Sequence, residues 1–250
     1  MNPHRMIRIF NSTEDLARFF ALHLETLMTK NRESGPFSIA LSGGSTPKKI
    51  FDHLAANFRD TIDWHRVLIF WGDERCVPPG DNESNFRMAR EALLDRVPVP
   101  AVNIFRILGE NAPVQESKRY SDLVMKKVSL KDNIPSFDLL MLGLGDDGHT
   151  ASIFPDSMHL LISDRLFEVS ENPYSGQKRI TATGKIINHA KNVVFLVTGK
   201  SKAEVAARVI EKQEGWENLP ASMVYPENGE LLWLLDREAA LKLDNSKHHE

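Results

Sequence analysis

The chain has 250 residues, of which 42% are hydrophobic and 26% are charged. These fractions are typical of a folded globular protein and exclude the collagen-like, disordered and disulfide-scaffold classes. The 31 basic residues are balanced by 34 acidic ones, and the net charge is −3. We therefore expect no broad binding to nucleic acid or to an anionic membrane surface.

The cysteine content and the apolar runs bear on the cellular compartment. The single cysteine, Cys76, cannot close an intramolecular disulfide. No apolar run approaches the about 18 residues of a membrane span, and residues 1–10 lack the apolar stretch of a signal peptide. The sequence thus predicts a cytoplasmic protein and leaves a monomer and a small homo-oligomer both open. His248 and His249 are either native residues or an expression remnant.

In chain order, apolar runs alternate with segments of helical spacing. The first helix follows Ser12 as N-cap, repeats apolar residues at i, i+3 and i+4, and stops at Gly35-Pro36. Buried strands are predicted at residues 37–41, 67–71, 137–142 and 193–197, and further helices at residues 47–56, 84–94, 114–128 and 200–212 and just after Asp236. This alternation predicts one α/β domain over residues 1–250, with a mostly parallel sheet and helices on both faces.

Ligands of open parallel sheets bind beyond the carboxyl ends of the strands, and four such ends carry polar residues here. The first reads Ser42-Gly43-Gly44-Ser45-Thr46-Pro47. Its glycines allow close backbone approach, Ser45 or Thr46 can cap the next helix, and the free N–H groups of that helix end suit a phosphate. The nucleotide P-loop pattern is absent, and a capped turn without a ligand stays an alternative.

The second strand end reads Trp71-Gly72-Asp73-Glu74-Arg75. Arg75 offers a fixed set of donors for a phosphate or a developing oxyanion. The carboxylates, Asp73 among them, can hold Arg75 or bind sugar hydroxyls. A salt-bridged turn is the alternative, and Ser84 and Asn85 a few residues later are typical of a helix cap.

The third strand end reads Gly143-Leu144-Gly145-Asp146-Asp147-Gly148-His149-Thr150 and matches the dinucleotide pattern G-x-G-x-x-G. Pro155 follows too soon for the long helix that would carry a pyrophosphate, so a dinucleotide is not expected. His149 has few neighbours that would bury it, and Asp147 can orient it. We therefore predict that His149 activates a water molecule. No spacing of His or Cys residues indicates a metal.

The fourth strand end reads Thr198-Gly199-Lys200 and precedes a helix. A lysine in the first turn of a helix opposes the macrodipole, so the pattern predicts an anion close to Lys200. Arg179, in a short predicted strand, would help to bind that anion. A solvated lysine and an arginine at a sheet edge are the alternatives.

Together these clusters resemble the 6-phosphogluconolactonases in order and spacing. The resemblance rests on residues 41–47, 71–75, 84–85, 138–155, 179–199 and 219–222, the fourth of which ends in Gly-His-Thr-Ala-Ser-Ile-Phe-Pro. It implies a modified Rossmann-like fold, no cofactor, and hydrolysis of 6-phospho-D-glucono-1,5-lactone to 6-phosphogluconate in the pentose phosphate pathway. Asp146, where the family often has proline, and Phe86, where tyrosine is common, are departures.

The resemblance also implies how the residues divide the work on a sugar phosphate lactone. His149, held by Asp147, would deprotonate the water that attacks C1, and Arg75 or a loop N–H would stabilise the oxyanion. The loop of residues 42–46, with Arg179 and Lys200, would bind the phosphate.

Two other functions stay open. Glucosamine-6-phosphate deaminases have a related site, but the motif after their histidine carries a carboxylate that residues 150–155 lack. A non-catalytic sugar-phosphate sensor usually accompanies a DNA-binding domain, and residues 1–36 hold only a predicted strand and one helix, with no basic patch.

Overall fold

The computed structural model describes residues 5–32 and 35–244, so His248 and His249 lie outside the described residues. The strands and α-helices in chain order are β1 (Arg5–Phe10), α1 (Thr13–Lys30), β2 (Phe37–Leu41), α2 (Ser45–Asn57), β3 (Val67–Trp71), β4 (Asp73–Arg75), α3 (Asn85–Ala89), α4 (Pro113–Lys127), β5 (Leu130–Lys131), β6 (Ile134–Pro135), β7 (Leu139–Leu142), β8 (Phe167–Glu171), β9 (Lys178–Ala182), α5 (Gly184–Ile187), β10 (Asn192–Val197), α6 (Ala203–Glu211) and β11 (Glu230–Asp236). Short 3-10 helices occupy Trp64–Arg66, Ala101–Asn103, Pro155–Ile162, Lys200–Lys202, Trp216–Asn218 and Pro220–Met223.

Six strands form one parallel sheet in the order β1-β11-β10-β7-β2-β3. The interior strands β2 and β7 are buried along their whole length. A strand with no exposed residue needs cover on both faces of the sheet, which explains its uninterrupted apolar sequence. Because β7, β2 and β3 are neighbours and run in one direction, the loops that follow them meet at one edge of the sheet.

The four predicted strands are confirmed, although the third begins only at Leu139. The structure adds β11, which lies between β1 and β10 and is as apolar as the other interior strands. The helix predicted after Asp236 is wrong. The Asp236 carboxylate instead accepts the backbone N–H groups of Gly199 and Ala239, and the chain continues in turns.

The other predicted helices are confirmed with shifted ends. The first ends at Lys30, before Gly35-Pro36, and the second begins at Ser45 rather than at Pro47. The segment 84–94 is α3 followed by a π-helical turn over Arg90–Leu94. The segment 200–212 is a 3-10 turn followed by α6.

A second, antiparallel sheet of three strands, ordered β4-β9-β8, continues from the carboxyl end of β3. Gly72 links the two sheets, because its N–H donates to Leu41 O of β2 and its carbonyl accepts the N–H of Ala182 of β9. The register of β4 and β9 sets Arg75 opposite Arg179. The small sheet thus carries two cationic residues to the edge where the parallel strands end.

Buried apolar side chains of both sheets and of the helices that cover them form one continuous cluster. Stacking of Phe195 on Trp233, with ring centroids 3.9 Å apart, joins β10 to β11 inside it. Helix α4 packs against β8 and β9 and so supports the small sheet. Among the described residues, no helix combines the length and the apolar character that a membrane crossing requires.

Candidate active site

A cavity of about 260 Å³ opens where the carboxyl ends of β2, β3 and β7 meet. The predicted site residues that line it are Ser42, Gly43, Gly44, Asp73, Arg75, His149 and Arg179. Residues that line it without having been predicted to do so are Asn85, Gly143, Leu144, Gly145, Asp146, Ala151 and Lys202. The structure therefore brings the polar ends of three separate βα units together around one small space.

His149 sits in a closed backbone bend that follows β7. The N–H of Gly145 donates to His149 O at 2.9 Å, and the N–H of Gly148 donates to Gly145 O at 3.0 Å. Gly148 has a φ of +81°, which favours glycine, and its carbonyl accepts the N–H of Ala221 at 3.0 Å. Thr150 Oγ1 closes the far end by donating to Gly143 O at 2.9 Å. The imidazole is thus presented by a rigid loop.

Gly145 makes room for the imidazole. A Cβ at this position would lie 2.0 Å from His149 Nδ1, far inside van der Waals contact. On the other side, the imidazole packs against the buried ring of Phe154, with centroids 4.6 Å apart. The long helix of a dinucleotide site does not follow, since the chain enters the 3-10 helix Pro155–Ile162 instead.

The Asp147 carboxylate orients the imidazole. His149 Nδ1 lies 2.6 Å from Asp147 Oδ1, which also accepts the His149 backbone N–H at 3.0 Å. Burial acts to raise the pKa of Asp147, but hydrogen bonds from the His149 ring, from its backbone and from the Tyr174 hydroxyl outweigh it and hold that pKa well below its usual range. An ionised carboxylate only accepts hydrogen bonds, so Nδ1 carries the proton towards Asp147. Nε2 is then the basic nitrogen of the neutral ring.

Arg75 and Arg179 are paired across β4 and β9 without a carboxylate between them. Arg75 Nη1 donates to Glu83 O at 2.7 Å, and Arg179 Nη1 lies 3.5 Å from Ser152 Oγ. Neither guanidinium forms an ion pair with another residue of the described chain, and the Nε atom of each is buried without a partner. Burial, and then the charge of Arg75, lower the pKa of Arg179.

Arg179 is 9% exposed and lies on the middle strand of its sheet, so the alternative of an arginine at a sheet edge is wrong. Its guanidinium carbon is 5.8 Å from the centroid of the Phe154 ring, which also contacts His149. Phe154 therefore separates the buried cation from the imidazole by one ring.

Asp73 is held by a buried network instead of by an arginine. Asp73 Oδ2 accepts the Ser152 hydroxyl at 2.7 Å, and Asn85 Nδ2 donates to Asp73 O at 3.0 Å. Asn85 itself is fixed through Glu74, whose Oε1 accepts the Asn85 N–H at 2.7 Å. Burial raises the pKa of the Glu74 carboxyl, although backbone N–H groups of Phe86, Asn85 and Arg75 act in the opposite direction. Ser84 caps α3, as predicted, by accepting the Arg87 N–H.

The glycine-rich loop after β2 reaches the cavity only through its first half. The N-cap of α2 is Gly44, with a φ of +109° and no side-chain cap, so the prediction of a Ser45 or Thr46 cap is wrong. Ser45 is exposed, and Thr46 Oγ1 lies 2.6 Å from Thr198 Oγ1 in the loop after β10. Neither side chain lines the cavity. Ligand contacts from this loop would come from Ser42, Gly43 and Gly44.

Lys202, and not Lys200, lines the cavity. Gly199, with a φ of +94°, starts a 3-10 turn that leaves Lys200 exposed, as the solvated alternative had it. Lys202 Nζ lies 2.6 Å from Asp146 Oδ1 on the cavity wall. The prediction of Lys200 as a residue of this site is therefore not supported, and Lys202 was not predicted.

Among the polar side chains that the sequence analysis did not assign to the site, Asn85 and Lys202 line the cavity and Tyr174 contacts Asp147. Asn85 was assigned only to a cap, because its approach to the glycine-rich loop after β2 arises from the fold and not from its neighbours in the sequence. Gly43 leaves space for it, because a Cβ there would lie 1.9 Å from Asn85 Oδ1. Within residues 5–32 and 35–244, no group of three or more His, Cys, Asp or Glu side chains is placed to hold a metal ion.

Comparisons with known proteins agree with this architecture. The chain is 42% identical over 213 residues to a 6-phosphogluconolactonase of Synechocystis sp., covering 84% of this chain and 86% of the relative. It is 40% identical over 235 residues to a 6-phosphogluconolactonase of Nostoc sp., covering 93% and 95%. The solved 6-phosphogluconolactonase of Trypanosoma brucei superposes with a TM-score of 0.87 at 27% identity, covering 97% and 100%.

Structural similarity extends to proteins with low sequence identity to this chain. A monomeric glucosamine-6-phosphate deaminase superposes with a TM-score of 0.80 at only 20% identity, over 95% of this chain and 99% of that one. The family described as glucosamine-6-phosphate isomerases/6-phosphogluconolactonase matches residues 11–233. The chain therefore belongs to the glucosamine-6-phosphate isomerase/6-phosphogluconolactonase family.

Proposed function

We propose that this protein hydrolyses 6-phospho-D-glucono-1,5-lactone to 6-phosphogluconate. The observation that carries the proposal is the convergence of an Asp147-oriented imidazole and an unpaired pair of arginines on one cavity. A base that can activate water and a concentration of positive charge are the two things that hydrolysis of a phosphorylated ester requires. The curated relatives that carry the 6-phosphogluconolactonase name support this substrate.

At the lactone end, His149 Nε2 takes a proton from a water molecule whose oxygen attacks C1. Arg75 stabilises the negative charge that develops on the carbonyl oxygen, because one arm of its guanidinium is already fixed on Glu83 O and needs no reordering. The bond between C1 and the ring oxygen then breaks, and protonated His149 returns its proton to that oxygen. Asp147 stays ionised throughout and stabilises the imidazolium.

At the phosphate end, Arg179, Lys202 and the backbone N–H groups of Gly43 and Gly44 bind the dianion. Arg179 is a buried cation that forms no ion pair with a carboxylate of the described chain, so a bound dianion would supply the partner that its guanidinium lacks. Gly43 and Gly44 line the cavity just before α2, where backbone N–H groups favour negative charge. Asp73, fixed by Ser152 and Asn85, is placed to accept a sugar hydroxyl.

Deamination of glucosamine 6-phosphate is the alternative function, because the family also includes glucosamine-6-phosphate isomerases. Ring opening and isomerisation of an amino sugar need a further acid–base group after the histidine. In this chain residues 150–155 carry none, and Ser152 in that segment is occupied with Asp73. The described residues of this segment favour hydrolysis.

One assay separates the two reactions. The lactone is generated in situ by oxidation of glucose 6-phosphate, and acid release is followed with and without the protein, above spontaneous hydrolysis. Glucosamine 6-phosphate is supplied in parallel, and ammonia is measured. We expect acid release only. Ammonia release without lactone hydrolysis would overturn the proposal, and binding of sugar phosphates without turnover of either substrate would identify a sensor.

The role of His149 has its own test. We expect His149→Ala to lose about 10²- to 10⁴-fold in kcat while it still binds 6-phosphogluconate, because acid–base catalysis contributes on that order and the phosphate contacts are intact. Product binding is measured by calorimetry. Near-normal turnover in this variant would remove His149 from the reaction.

A further inference from the structure

Tyr174 stands out as an exposed aromatic residue that packing does not explain. It lies in the turn between β8 and β9 and is 76% exposed. Its hydroxyl donates to Asp147 Oδ2 at 3.0 Å, across a separation of 27 residues in the chain. An aromatic ring left in solvent gains little from the hydrophobic effect, so this polar contact is what its position achieves.

The two oxygens of Asp147 are divided between two donors. Oδ1 accepts from the His149 ring and backbone, and Oδ2 accepts from Tyr174. A carboxylate rotates about its last torsion angle unless both oxygens are engaged. The tyrosine hydroxyl therefore fixes the plane of the carboxylate that in turn fixes the imidazole.

The turn that carries Tyr174 is itself ordered by hydrogen bonds. Asn172 Oδ1 accepts the N–H groups of Tyr174 at 2.9 Å and Ser175 at 3.2 Å, and Gly176, with a φ of +68°, donates to Asn172 O. Gln177 Nε2 donates to Glu83 Oε2 at 2.9 Å, and the backbone carbonyl of Glu83 accepts a hydrogen bond from Arg75. The hairpin is thus anchored beside both functional groups of the cavity.

We infer that Tyr174 is a positioning residue for the reaction, acting on His149 through Asp147. Tyr174 is not among the residues that line the cavity. Its hydroxyl fixes the orientation of the Asp147 carboxylate and offsets part of the negative charge that acts on the imidazole. The inference rests on the proposed hydrolase function.

Removal of the hydroxyl alone tests the inference. In Tyr174→Phe we expect kcat to fall about 3–10-fold, the loss that corresponds to one hydrogen bond. KM for the lactone and Kd for 6-phosphogluconate should change less than about twofold, because no binding group is touched. The ring remains and the site is exposed, so folding is not at risk.

The pH profile distinguishes positioning from a general structural effect. Without the tyrosine donor, Asp147 stabilises protonated His149 more strongly, so the acid limb of kcat/KM moves to higher pH. The other charged groups near the pair are Asp156, whose negative charge acts on the Tyr174 hydroxyl, the Asp146–Lys202 ion pair, and Arg179 beyond Phe154. All are unchanged in the variant.

Two further variants complete the experiment. Ser175→Ala, in the same turn, is the matched control and should retain the wild-type kcat and pH profile. In an Asp147→Asn background, adding Tyr174→Phe should change kcat much less than it does in the wild type, because the two residues act in series.

The outcomes separate the inference from the proposed function. An inactive wild type refutes the hydrolase proposal itself. An active wild type with an unchanged Tyr174→Phe variant refutes only the inference. A raised KM with an unchanged kcat would make Tyr174 a binding residue instead.

Discussion

Asp138 and the arginine pair, at opposite ends of the parallel sheet, differ in how far the protein itself satisfies their charges. At the amino end, the Asp138 carboxylate accepts hydrogen bonds from Ser38 N at 2.8 Å, Ser38 Oγ at 2.9 Å, Asn31 Nδ2 at 3.2 Å and Lys191 Nζ at 2.7 Å. At the carboxyl end, Arg75 and Arg179 face each other as like charges, and the Nε atom of each is buried without a partner.

This difference distinguishes a charged group that stabilises the fold, Asp138, from charged groups that are available to bind a ligand, Arg75 and Arg179. Removing one partner from a buried charge with complete hydrogen bonds leaves an unsatisfied group and destabilises the fold. A buried cation without a carboxylate partner costs stability in the free protein, and binding of an anion recovers part of that cost. Asp138 is thus predicted to matter for folding, and the two arginines for binding.

Replacement of Arg179 is expected to have the largest effect on binding. In Arg179→Met we expect KM for the lactone to rise about 10- to 100-fold, since a charge-assisted hydrogen bond to the phosphate is lost. The free protein should keep or gain thermal stability, because a methionine packs against Phe154 without placing a charge opposite Arg75. Kinetics and thermal unfolding give the two numbers. A large loss of stability would show that Arg179 holds the fold.

Replacement of Asp138 tests the opposite end of the sheet. In Asp138→Asn we expect the free energy of unfolding to fall by about 1–3 kcal/mol, because the ionic bond to Lys191 is lost and the amide cannot accept at both former oxygens. KM and kcat should stay near their wild-type values where the protein is folded. Denaturant titration with parallel assays checks this, and a selective rise in KM would contradict the assignment of this end to stability.

The smallest effect concerns the two lysines near α6. Lys202→Ala should raise KM about 3–10-fold at low salt, less than the loss of Arg179, because Lys202 is partly exposed and shares its charge with Asp146. Lys200→Ala is the matched control and should change KM less than about twofold, since its side chain is exposed outside the cavity. Equal effects of the two substitutions would contradict the placement of Lys202.

The sequence predicted those parts of the site that follow directly from strand ends. Asp73, Arg75 and His149 come within a few residues of the apolar runs that form β3 and β7, and parallel strands bring their ends together. The strand β11 was not predicted, although its sequence is as apolar as those of the predicted strands.

The remaining contributors depend on geometry that no local pattern carries. Whether Lys200 or Lys202 faces the cavity depends on the 3-10 turn that Gly199 starts. Tyr174 reaches Asp147 only because the register of β8 and β9 folds a hairpin back over the bend. Long-range approach of this kind is decided by sheet pairing and not by spacing in the chain.

The absence of a side chain at Gly145 limits which mutations the site tolerates. The imidazole fills the volume that any larger residue at 145 would need. A methyl group there would push the ring off Asp147 and leave every charge of the cavity in place. Gly145 takes no part in the reaction, yet we expect it to tolerate substitution as poorly as His149 does. A mutational scan restricted to reactive groups would not include it.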